Sequence, residues 1–109
     1  MFSCSNSTRA IFAGGYTPTL VNTIDYVTIA SRGNATSFGN LTTARQMYIG
    51  NGNCASSTRG IFAGGYISPA HSNVIDYVTI LTTGNAVDFG DLSTVRYQIG
   101  ALSNAHGGL

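Results

Sequence analysis

Ser7-Thr8-Arg9-Ala10-Ile11-Phe12-Ala13-Gly14-Gly15-Tyr16 returns fifty positions later as Ser57-Thr58-Arg59-Gly60-Ile61-Phe62-Ala63-Gly64-Gly65-Tyr66, and Ile24-Asp25-Tyr26-Val27-Thr28-Ile29 returns as Ile75-Asp76-Tyr77-Val78-Thr79-Ile80. Self-similarity at such a period means that one supersecondary unit is used twice, each unit needing a neighbour to bury its apolar face. Composition restricts what the unit is. The five basic residues are all Arg and the four acidic ones all Asp, so the helix formers Lys and Glu are missing, while Gly, Thr, Asn, Val, Ile and Tyr are plentiful. The fold class expected is all-β, and a period near fifty with several strand-like segments per copy is the spacing of β-propeller blades.

The second copy lays out the unit. Arg45-Gln46-Met47-Tyr48-Ile49-Gly50 reads as a first strand, turned by Asn51-Gly52-Asn53, and Arg59–Ala63 reads as a second strand ended by Gly64-Gly65. Val74–Ile80, β-branched or aromatic nearly throughout, is the strongest strand signal, and Thr83-Gly84-Asn85 turns the chain into a short fourth strand around Ala86–Phe89, closed by Gly90-Asp91.

These residues resemble the kelch repeat. Phe12-Ala13-Gly14-Gly15 and Phe62-Ala63-Gly64-Gly65 look like the kelch diglycine, and Ile24-Asp25-Tyr26 and Val74-Ile75-Asp76-Tyr77 fall where kelch blades carry an apolar-acidic-x-Tyr segment. Phe38 and Phe89 stand near the kelch tryptophan, and Arg45 and Arg96 near the Arg that opens the next unit; the chain departs from the pattern in having no Trp at all. The segments Thr23–Ile29, Gly84–Leu92 and Leu102–Leu109 are also similar to tandem repeats in virion-associated proteins of marine tailed phages, which implies a phage or environmental viral origin and a place in a virion.

Two four-stranded blades cannot close a ring, because propellers use about four to eight, and an isolated pair exposes apolar faces and strand edges. Cys4 aligns with Cys54, and the three residues before it are too few for a first strand, whereas Arg96-Tyr97-Gln98-Ile99-Gly100-Ala101 is a surplus one. The expected organisation is a single two-blade unit: blade one over roughly 4–43, completed by a strand from a neighbouring chain, blade two over roughly 44–92, and 93–109 donated to a neighbour. Head-to-tail strand exchange of this kind closes a ring. The resemblance to kelch propellers makes a homotrimer of six blades the first expectation, a tetramer of eight the second and a dimer of four the third.

Few charges and a net charge of +1 without a basic cluster argue against nucleic acid as a partner. No apolar run approaches the roughly 20 residues that span a bilayer, and the opening Met1-Phe2-Ser3-Cys4-Ser5 lacks the pattern of a secretory signal. Cys4 and Cys54 are expected about a blade apart, as small half-buried hydrophobes rather than a bridge. No CxxC, no Cys/His spacing suited to zinc, no GxSxG elbow and no Walker lysine occur, so no catalytic residue, metal or cofactor is assigned and the protein is read as a non-enzyme.

Residues that repeat serve the blade. Asp25 and Asp76, in strands covered on both faces, are costly unless paired, and are assigned to contacts with Arg or backbone groups. The copies differ most after the glycines, Thr17–Asn22 in one and Ile67–Asn73 in the other. In kelch propellers the loops joining second and third strands line one face of the ring, so the resemblance makes Tyr16, Asn22, Tyr66, His71 and Asn73 the candidate ligand-binding residues, their aromatic faces, amides and imidazole suiting a host glycan or surface protein. The alternative function is a purely structural component of a virion.

Overall fold

The computed structural model describes residues 1–47, 53–96 and 98–103. Within them lie two antiparallel sheets, one per repeat. Strands β1 (Phe2–Ser5), β2 (Arg9–Tyr16), β3 (Leu20–Thr28) and β4 (Thr36–Asn40) form the first in the order β1-β2-β3-β4. Strands β5 (Asn53–Ala55), β6 (Arg59–Ala63), β7 (Ser72–Thr79) and β8 (Val87–Arg96) form the second in the order β5-β6-β7-β8. The protein is all-β, and the strands expected from the β-branched runs are present.

The repeat ends need correction. The residues before Cys4 do suffice for a strand, because β1 includes Cys4 itself and pairs Phe2 with Ala13, Ser3 with Phe12, Cys4 with Ile11 and Ser5 with Ala10. Its counterpart β5 contains Cys54. The first sheet is therefore four-stranded within one chain. Nor does Gly90-Asp91 close the fourth strand: β8 continues to Arg96, which pairs with Ser72. Asp88 Oδ1 accepts the Gly90 N–H at 3.0 Å, and Gly90, at φ 147°, takes a bulge conformation that lets the strand go on. Of the segments expected as first strands, Gln46 makes an isolated bridge to Tyr66. Residues 48–52, Tyr97 and 104–109, His106 among them, lie outside the described residues, and 98–103 contain no strand.

Successive side chains of a strand point to opposite sides of a sheet, and the two stacked sheets use opposite sides. The first buries Ile11, Ala13, Ile24 and Phe38, and the second buries Phe62, Asp76, Val78 and Ile80. Ile24 is thus buried and Asp25 exposed, whereas in the second repeat Asp76 is buried and Ile75 only half-buried. Phe2, Leu41 and Met47 complete the shared core, Phe2 meeting Phe62 edge-on at 5.8 Å. Each such large apolar side chain contributes about 1.5–3 kcal/mol by leaving water.

Polar contacts fix how the sheets sit. The chain leaving β4 crosses from one to the other, and the diglycines let it approach. Gly14 and Gly64 adopt φ of 64° and 68°, and a Cβ there would strike the carbonyl oxygens of Arg45 and Arg96. The neighbouring Gly15 and Gly65 N–H groups donate to those same carbonyls at 3.0 and 2.8 Å. From this anchored backbone Arg45 sends its guanidinium into the second sheet, where it donates to Phe62 O (3.0 Å) and Val74 O (3.2 Å) and pairs with Asp76 (3.2 Å). Thr42 donates to the same carboxylate through N–H (3.1 Å) and Oγ1 (2.6 Å). On the outer side, the β7–β8 loop docks on β4: the Gly84 and Ala86 N–H groups donate to Phe38 O and Asn40 O, both at 2.8 Å, and Asn85 Oδ1 accepts the Asn40 N–H at 3.0 Å.

Arg45 and Asp76 are both fully buried, so removing one leaves an uncompensated charge in the core. We expect Asp76→Ala to cost about 3–5 kcal/mol in urea unfolding, and the double variant Arg45→Met/Asp76→Leu to recover most of that loss.

Candidate functional site

Strand β2 ends in Gly-Gly-Tyr and β6 is followed by Gly-Gly-Tyr, and each leads into a short loop with a cis Xaa-Pro bond, Thr17-Pro18 in one and Ser68-Pro69 in the other. Backbone hydrogen bonds close the loops, Thr17 N–H to Thr19 O and Ile67 N–H to Ala70 O, both at 2.9 Å. Because the sheets are stacked, the loops lie side by side. Between them opens a cleft of about 710 Å³ lined by Tyr16, Pro18, Thr19, Leu20, Gln46, Tyr66 and Ser68.

Of the five residues expected at a ligand site, the structure brings two, Tyr16 and Tyr66, to this cleft. Tyr16 is exposed at the end of β2; Tyr66 is half-buried, with its ring 5.8 Å from that of His71. His71 stands behind Tyr66 and opens instead onto a second hollow with Arg96 and Ile99. Asn22 and Asn73 lie in β3 and β7 and do not line the cleft. The register explains this: they follow the loops by enough residues to have entered the sheets, where Asn22 O accepts the Leu41 N–H at 2.7 Å.

Gln46 was not foreseen. It reaches the cleft because the crossing chain exchanges two backbone hydrogen bonds with Tyr66, at 3.1 and 2.8 Å. Only the stacking of one repeat on the next puts it there, and a single repeat carries no signal of it. The lining holds aromatic rings, an amide and hydroxyl groups, and no charged side chain. Such a surface offers stacking and neutral hydrogen bonds, with nothing to neutralise a phosphate or carboxylate.

The strongly perturbed ionisable groups sit elsewhere. Burial pulls the Arg45 guanidinium below its usual range, and Asp76 opposes the shift. Burial, with a smaller contribution from Cys54, pushes the Cys4 thiol from 9.0 up to about 12. Both thiols are free. Among the described residues no group of three or more His, Cys, Asp or Glu is placed to hold a metal ion.

The molecule so defined is an all-β protein of two repeated, face-stacked, four-stranded antiparallel sheets with an uncharged cleft between equivalent loops. No family model matches the chain, and no curated protein matches it either.

The Cys4 shift carries a pH dependence. A thiol whose folded pKa is raised favours the folded state below its unfolded pKa, and that contribution is lost as the pH rises toward the folded value. Stability should therefore fall between pH 9.0 and about 12 by more in the parent protein than in Cys4→Ala. In Cys54→Ala at mildly alkaline pH, native Cys4 should react with a disulfide reagent at least about a hundredfold more slowly than after unfolding.

Proposed function

We propose that the chain is a non-catalytic recognition module built from propeller blades, which takes a neutral glycan in the cleft between its two Gly-Gly-Tyr loops. The observation that carries this reading is the convergence of Tyr16 and Tyr66 on one uncharged cleft furnished with Gln46, Thr19 and Ser68. Two aromatic faces flanking neutral donors and acceptors suit a polyhydroxylated, uncharged ring, and the cleft falls in the size range of small-ligand sites. Sheets of the kelch-like repeats stacked face to face support the propeller reading, with three chains giving a six-bladed ring and the paired loops recurring on one of its faces. The phage or viral setting, with a place in a virion, rests on the resemblance of the repeats alone.

One observation favours the alternative, a structural component of a virion whose product is the assembly itself. Each outer sheet face keeps large apolar side chains in water, Ile29 on the first and Val87 and Phe89 on the second. Faces of that kind mark contact surfaces.

A glycan array carrying neutral and sialylated structures separates the readings. We expect binding to neutral glycans, weakened about 5–30-fold by Tyr16→Ala and by Tyr66→Ala, with Gln46→Ala weakening it less. No binding anywhere on the array, with circular dichroism unchanged, would favour the structural component.

A further inference from the structure

The contact between the two repeats has a donor side and an acceptor side, and the molecule presents one unused copy of each. On the donor side Thr42 and Arg45 reach out of the chain that leaves the first sheet; on the acceptor side Asp76 receives them. The equivalent donors in the second repeat are Ser93 and Arg96, and the equivalent acceptor in the first is Asp25. Arg96 is held by its backbone as Arg45 is, its carbonyl taking the Gly65 N–H as that of Arg45 takes the Gly15 N–H. Yet Ser93, Arg96 and Asp25 are exposed, and neither Arg96 nor Asp25 has an ion-pair partner among the described residues.

The apolar surfaces follow the same rule. Phe38 is 4% exposed against the second sheet, and its equivalent Phe89 is 52% exposed on the outer side. Ile80 is fully buried against the first sheet, and its equivalent Ile29 is 55% exposed. The aromatic ladder beside them is already built in both repeats, Arg9 lying 4.1 Å over Tyr26 and Arg59 4.4 Å over Tyr77. Arg9 goes on to donate to Ile80 O at 3.0 Å, across the repeat boundary. Arg59 has the same posture and faces outward.

We propose that the outer face of the second sheet docks on the outer face of the first sheet of another copy of this chain, Arg96 and Ser93 taking beside Asp25 the places that Arg45 and Thr42 take beside Asp76. Rotational stacking continues from chain to chain as it runs within one. The occupant is a second copy because the outer faces match each other in charge and apolar positions as the inner faces do. The inference rests on the head-to-tail ring proposed above and, since the first sheet already has four strands of its own, puts face packing locked through a named ion pair in place of strand donation. One contact differs: a Cβ at Gly60 would stand 2.6 Å from Cys4 Sγ, and the equivalent position in the first repeat is Ala10, so Cys54 turns aside between copies.

Such an interface is heterologous, with different patches on its two sides, and this gives a test that a misfolded variant cannot imitate. Asp25→Arg spoils the acceptor face alone and Arg96→Asp the donor face alone, both at exposed positions, so each chain folds. By light scattering and native mass spectrometry at micromolar concentration, the parent chain should have a multiple of the one-chain mass. Each variant alone should fall to one-chain mass, with association weakened by about a hundredfold or more. Mixed in equal amounts, the intact donor face of Asp25→Arg meets the intact acceptor face of Arg96→Asp, the two altered faces are again opposite in charge, and the mixture should recover a mass of two chains or more. A parent chain of one-chain mass overturns both the ring and this contact. Variants that assemble as the parent does overturn this contact and leave a ring held by other surfaces, and a mixture that stays at one-chain mass also overturns it.

Discussion

The pair between Arg45 and Asp76 is the contact on which the rest of the molecule turns. Arg45 comes from the chain crossing between the sheets and Asp76 from β7, and both are shut away from water, so neither can be satisfied unless the sheets stack in one relative position. Apolar packing alone would tolerate slippage, since it has no direction. A guanidinium that must reach two carbonyls and a carboxylate at once does not. The cost of taking both charges out of water is offset by these hydrogen bonds and by the two that Thr42 supplies.

From that stacking the candidate site follows without any residue devoted to building it. The loops after the diglycines are ordinary connections, but with one sheet laid over the other their tyrosines flank a common cleft and the crossing chain lends Gln46 to its floor. Scaffold and candidate site are thus separable: the loops differ between repeats in length and in sequence, while the strands that carry them are nearly identical. The loops can change with the sheet contact left as it is.

Much of this was legible residue by residue. The repeat, the all-β class, the second and third strands, the close backbone approach at the diglycines and a paired role for Asp76 follow from local pattern. The limits of the strands did not. A strand as short as β1 pairs through its backbone and needs no periodic signal, and β8 passes Gly90 because a bulge absorbs the glycine. Of the candidate ligand residues, Tyr16 ends β2 and Tyr66 follows β6 where the loop begins, whereas Asn22 and Asn73 have already entered the ladder and His71 backs onto Tyr66.

Asp25 and Asp76 mark the boundary between the two kinds of knowledge. By itself the sequence determined that they are equivalent, that each lies in a central β-branched strand, and that an unpaired carboxylate there would be costly, because these depend only on side-chain chemistry and alternation along a strand. Only the tertiary structure decided that one is buried against an arginine and the other faces water. Which side of a sheet becomes interior depends on which neighbour covers it, and that is settled by how one repeat rests on the next rather than by anything within the repeat.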